Sequence, residues 1–138
     1  MNPVIIKEYR LYREAELLDL YKSVGWSTYY DRPDMLRQAF SHSLCILGAY
    51  AGEKLVGLVR AVGDGATIVF LQDILVHPAY QRRRIGTRLI GELLDRYRHV
   101  RQLHLLTDDQ PGTVGFYKAA GFTPVEDVHF RAFTRLRY

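Results

Sequence analysis

The chain has 138 residues, 48% of them hydrophobic and 25% charged, which suits a single folded domain over residues 1–138 and excludes a disordered or low-complexity chain. Its one cysteine, Cys45, excludes an internal disulfide framework and a cysteine-built zinc site, and suits a reducing, cytoplasmic setting. The formal net charge of +4 calls for an anionic partner, either nucleic acid or a phosphate-bearing small molecule.

Residues 4–9 read as a short strand. Over 15–23, apolar residues at Leu17, Leu18, Leu20 and Tyr21 give an amphipathic helix that ends near Gly25. A loop carrying Trp26, Tyr29 and Tyr30 follows, then a second helix from Asp31-Arg32-Pro33 to about His42. Three strands come next, over 44–51, 55–62 and 66–76, joined by turns at 51–54 and at Gly63-Asp64-Gly65. Pro78 stops the third. From 81 to 97 the stripe Ile85, Leu89, Ile90, Leu93, Leu94, Tyr97 marks a helix. A strand at 102–107, a turn at 108–112 and a helix at 113–120 stopped by Gly121 follow. Residues 122–125 and 129–136 suggest a final antiparallel pair. The order β-α-α-β-β-β-α-β-α-β-β predicts an α/β fold, with a mixed, mostly antiparallel central sheet flanked by helices. No apolar run nears the roughly 18 residues of a membrane span, and residues 1–8 lack the features of a signal peptide.

The chemistry concentrates where the strand ending at Val76 turns into the helix: Val76-His77-Pro78-Ala79-Tyr80-Gln81-Arg82-Arg83-Arg84-Ile85-Gly86-Thr87. The first N–H groups of a helix lack internal partners and carry partial positive charge, so this turn can hold an anion. Three arginines at a helix start are locally unfavourable, and a bound pyrophosphate reverses that. The alternative is a solvated basic turn. The spacing fits neither a P-loop, since Thr87 follows Gly86, nor a dinucleotide fingerprint, since the spaced glycines are absent.

Here the sequence resembles the GNAT superfamily of N-acetyltransferases. That family places Gln/Arg-x-x-Gly-x-Gly/Ala after a Val-x-Pro-x-aromatic run, and Val76, Pro78, Tyr80, Gln81 and Gly86 match it. Arg84 stands where the family usually has its first glycine. A second landmark, Phe116-Tyr117-Lys118-Ala119-Ala120-Gly121-Phe122, is similar to the family's Phe-Tyr-x-x-x-Gly-Phe. Gln110 sits where an Asn often precedes that helix.

The resemblance implies acetyl transfer from acetyl-CoA, as cosubstrate, to an amine-bearing acceptor, by direct attack and with no metal. Main-chain groups of Ile74, Leu75 and Val76 would pair with the pantetheine arm and face the thioester oxygen. The turn of Gln81, Arg82, Arg83, Arg84, Ile85, Gly86 and Thr87 would hold the pyrophosphate. Tyr117 would protonate the departing thiolate, a step suited to a phenol with a pKa near ~10. A core aromatic is its plainer reading.

Asp73 interrupts the apolar run 68–76 and is the candidate to take the amine's proton. An ion pair with a nearby arginine is the alternative, because an unpaired buried carboxylate is expensive. Asp108 and Asp109 read as turn residues. Trp26, Tyr29 and Tyr30 either wall an acceptor pocket or pack on the core. The five histidines show no paired metal-ligand spacing. Two rivals to an enzyme remain: a non-catalytic acyl-CoA-binding module, and a small basic nucleic-acid-binding protein drawing on the arginines of residues 129–137. An exposed last strand would also suit a homodimer.

Overall fold

Val4-Ile5-Ile6-Lys7-Glu8 alternates inward and outward, so β1 (Val4–Glu8) buries Val4 and leaves Ile5 60% exposed. It pairs antiparallel with β2 (Cys45–Ala51), which pairs with β3 (Lys54–Gly63), which pairs with β4 (Ile68–Val76). Parallel β5 (Gln102–Leu105) completes a sheet of order β1-β2-β3-β4-β5. This computed structural model describes residues 3–137. The strands belong to one unit running to Leu106, and the residues from Thr107 form a second.

Successive strand residues point to opposite faces, and β3 shows both being covered. Leu58 joins a cluster with Leu17, Leu20 and Tyr21 of α1 (Glu14–Ser23) and Leu36 and Phe40 of α3 (Pro33–Ser41). The adjacent Gly57 lies against α4 (Ile85–Arg96): a Cβ there would come 3.2 Å from Ile85 Cγ2 and 3.3 Å from the Leu75 carbonyl. Glycine is thus what lets the start of α4 sit directly on the sheet. The stripe read from the sequence is the buried face of α4, with Ile85, Leu89, Ile90 and Leu93 all enclosed. Burying each contributes roughly 1.5–3 kcal/mol.

Three features differ from the sequence reading. Residues 27–30, expected as loop, wind into one helical turn, α2 (Ser27–Tyr30), because Trp26 O accepts the N–H groups of Tyr29 and Tyr30. The helix expected from residue 81 begins at Ile85, since Arg82 and Arg84 take φ of 65° and 60°, outside the helical region. The final strand pair does not form among the described residues. In the second unit α5 (Pro111–Ala119) ends before Gly121, Pro124 offers no N–H, and a 3-10 turn (Val125–Val128) follows, capped by His129 at φ 64°. Alternation in 129–137 supplies half of a ladder without a partner, and those residues are exposed, Phe133 at 91%. The exposed last strand that suggested a homodimer is therefore not formed. No described helix is long and apolar enough to cross a membrane.

Candidate active site

One edge of β4 is covered by β3 as far as Val76, while β5 covers the other only over residues 68–71. Beyond that point no described strand pairs with the β5 side of β4. Ile74, Leu75 and Val76 lie on this open stretch. The change of character follows a bulge: Arg60 pairs with Asp73 and Ala61 with Leu71, so Gln72 is the extra residue and is exposed.

The strand then enters a tight turn. His77 Nδ1 accepts the Ala79 N–H at 3.0 Å, Pro78–Tyr80 make one 3-10 turn, and Gln81 Nε2 donates to Val76 O at 3.3 Å. Gln81 thus ties the arginine turn to the end of the open edge. Arg82 and Arg84 are both left-handed, a conformation that costs an L-residue roughly 1–2 kcal/mol each. The first helical bond across the cap runs from Arg88 N–H to Arg84 O, so the N–H groups of Ile85, Gly86 and Thr87 precede it without helical partners. Two left-handed residues thus lead the backbone into a helix start whose first N–H groups are unpaired within the helix. Arg82 and Arg84 are exposed, and the Arg83 guanidinium lies 5.4 Å from the Tyr80 ring centre.

Asp73 is 2% exposed and Arg60 4%. Arg60 Nε donates to Asp73 Oδ2 at 2.8 Å, the Tyr21 hydroxyl donates to the same oxygen at 2.9 Å, and the Tyr29 hydroxyl donates to Oδ1 at 3.0 Å. Arg60 also donates to Ser43 Oγ at 3.1 Å. Of the two roles open to Asp73 in the sequence, the ion pair with an arginine is the one built here. Burial works to lower the Arg60 pKa, but the charge and hydrogen bond of Asp73 outweigh it and raise it overall. Burial first, then the Asp73 charge, pushes both phenols upward, so both are protonated at neutral pH. Tyr21 is fully enclosed, while Tyr29 is half-buried, its ring centre 5.0 Å from that of Tyr21 and 6.1 Å from Trp26.

Arg60, Tyr21 and Tyr29 were not named from the sequence as partners of Asp73. The signal was there for Arg60: it is the only charge between Leu55 and Val62, as Asp73 is the only charge in β4. Two lone charges in two apolar strands that form a hairpin predict each other. The tyrosines gave no such signal, because their α1 and α2 positions meet β4 only through tertiary packing.

Tyr117 lies in the second unit, on α5, half-buried with its ring centre 5.2 Å from Phe116 and 6.0 Å from Phe122. Burial and then the Asp108 charge raise its hydroxyl above the usual 10.0, while a hydrogen bond with Thr107 works the other way. It is a protonated phenol at neutral pH, the state a general acid requires. Asp108 Oδ1 accepts the Gln110 N–H at 3.0 Å, the turn role read for it. Burial raises the Cys45 thiol, leaving it little thiolate character.

The sequence model of the acetyltransferase (GNAT) family matches residues 10–122. A GNAT-family acetyltransferase from Streptococcus pneumoniae TIGR4 is 37% identical, with a TM-score of 0.88 and 98% of each chain covered. An uncharacterized N-acetyltransferase of Prochlorococcus marinus, ycf52-like, is 30% identical over 78% of this chain, which spans 61% of that relative's length. A third protein, AAC(6')-Iy, solved with the bisubstrate analogue CoA-S-monomethyl-acetylneamine, shares the fold at 18% identity and a TM-score of 0.74 over 99% of each chain. The open β4 edge and the strained arginine turn thus occur in a chain that belongs to the GNAT family of acetyltransferases.

Proposed function

We propose that residues 1–138 act as one N-acetyltransferase domain that moves the acetyl group of acetyl-CoA to a primary amine by direct attack within a ternary complex. The observation that carries this reading is the β4 edge left open beyond residue 71, leading straight into the left-handed arginine turn at the start of α4. A strand edge recognises an extended amide-bearing arm, and a helix start flanked by cations recognises a pyrophosphate. Acetyl-CoA has both parts in that order. The bisubstrate complex of AAC(6')-Iy supports CoA as the donor for this fold.

In the reaction the bound ammonium first gives one proton to water; the neutral amine nitrogen then attacks the thioester carbonyl, the C–N bond forms and the C–S bond breaks. Main-chain N–H groups near Ile74–Val76 stabilise the oxygen as it gains charge. Tyr117 gives its proton to the thiolate. The amine's second proton leaves to water and restores the phenol. Asp73, with three donors on its two oxygens, holds Arg60, Tyr21 and Tyr29 in place. Holding both substrates in register provides much of the rate.

The test is a thermal-shift titration with acetyl-CoA beside ATP, followed by Tyr117→Phe kinetics. At about 100 times its dissociation constant a specific ligand stabilises by roughly 2.7 kcal/mol, or about 9 °C for a chain of 138 residues. ATP should give less. Tyr117→Phe should lower kcat about 100-fold or more, with the acetyl-CoA shift intact. Absence of an acetyl-CoA shift refutes the cofactor assignment. Normal turnover in Tyr117→Phe refutes the acid. Steady CoA release with an amine eliminates the non-catalytic acyl-CoA-binding module.

A further inference from the structure

We infer that Tyr29 is the residue that meets the acceptor amine, and that Asp73 fixes the polarity of that contact. This rests on the acetyl-transfer reading above and identifies a specificity-determining side chain for the second substrate.

A carboxylate can only accept, and a phenol has a single hydrogen to give. Asp73 Oδ2 is met by Tyr21 and Arg60, and Oδ1 by the Tyr29 hydroxyl at 3.0 Å. The Tyr29 hydrogen is therefore committed inward. Its oxygen has only lone pairs left, and a ligand reaching them must bring an N–H or O–H. A carbonyl or carboxylate finds no hydrogen there. The exposed Gln72 already shows this polarity, directing Nε2 toward the Tyr29 oxygen at a long 3.5 Å.

Tyr21 has the same bond to Asp73 but is fully enclosed, so Tyr29 is the member of the pair that a ligand can reach. Its place is also right. Asp73 directly precedes Ile74–Val76 on the stretch of β4 that β5 leaves uncovered. A donor held at Tyr29 is one side-chain contact away from the strand assigned to the pantetheine arm. An ammonium brings such N–H donors, so the acceptor class is an alkylammonium. Arg60 cancels the Asp73 charge, so attraction comes from the oriented hydroxyl and not from a free carboxylate.

The experiment compares wild type and Tyr29→Phe by CoA release at saturating acetyl-CoA, with tyramine, cadaverine, glucosamine and a lysine-bearing peptide as acceptors. The wild type should acetylate at least one. Tyr29→Phe should raise the KM of that amine roughly tenfold or more, the worth of one hydrogen bond to a charged group. The KM for acetyl-CoA and kcat should each stay within about threefold. Inhibition provides a second readout on the wild type alone: tyramine should compete with the accepted amine, and its carboxylate counterpart 4-hydroxyphenylacetate should not. An unchanged amine KM in Tyr29→Phe, or equal competition by the carboxylate, overturns the inference. A wild type that is stabilised by acetyl-CoA yet acetylates none of these amines also overturns it, and leaves the cofactor site standing. A wild type that acetyl-CoA does not stabilise overturns the reading beneath it.

Discussion

The buried Arg60–Asp73 pair makes a sharp energetic prediction through the variants Asp73→Asn, Arg60→Met and their combination. Both side chains are almost fully enclosed, at 2% and 4% exposure, so removing either partner leaves a charge that water cannot reach. That costs about 3–5 kcal/mol. A chain of 138 residues has a total stability of roughly 7–20 kcal/mol, so each single change removes a large share. With an unfolding entropy of about 0.29 kcal/mol/K for this length, each should lower Tm by about 10–17 °C. The double variant has no stranded charge, retains an amide for the two phenols and fills the Arg60 stem with Met. It should cost no more than either single variant, giving a coupling energy of about 3 kcal/mol or more. Urea unfolding followed by Trp26 emission suits the measurement, because Trp26 lies 5.9 Å from Tyr21 and 6.1 Å from Tyr29 by ring centres. Single variants costing under about 1 kcal/mol, or costs that simply add, would refute the reasoning, since either result means the pair is solvated.

Two further predictions concern the arginine turn and the Asp64 turn. Arg84→Gly relieves a left-handed residue at φ 60° but enlarges the unfolded ensemble, so stability should change by less than about 1 kcal/mol. It also removes an exposed cation, so acetyl-CoA affinity measured by calorimetry should fall, most at low salt; tighter binding would show that Arg84 obstructs the pyrophosphate. Asp64 accepts the N–H groups of Ala66, Thr67 and Ile68 and the Thr67 hydroxyl, bonds that hold its pKa below the usual 3.8. A depressed carboxylate stabilises the fold above its unfolded pKa and loses that effect as pH falls toward its folded one. The Tm difference between wild type and Asp64→Ala should therefore be full at pH 6 and shrink below about pH 4; a constant difference down to pH 2 contradicts the role.

Much of this protein is determined locally, and that part is legible in its residues. The α4 stripe repeats at helical spacing, so one face must be buried whatever it meets, and the structure encloses Ile85, Leu89, Ile90 and Leu93. Pro33 starts α3 and a left-handed Gly121 follows α5, because φ preferences act within one residue. The run from Val76 to Thr87 and the stretch from Phe116 to Phe122 carry enough fixed positions to identify the family before any coordinate is known. Other features depend on partners distant in the chain. Alternation over 129–137 looks like a strand, but a strand is a paired object, and the described residues offer no ladder for it. The Gln72 bulge exists only because β3 and β4 differ by one residue in register. The role of Asp73 lies furthest from the sequence: its partners come from residues 21, 29 and 60, and only their convergence turns a lone carboxylate into the neutralised centre of a network that commits the Tyr29 hydrogen inward. Backbone propensity is short-ranged and is read directly from neighbouring residues, whereas the direction of a hydrogen bond is set by whichever groups the packed fold brings within 3 Å.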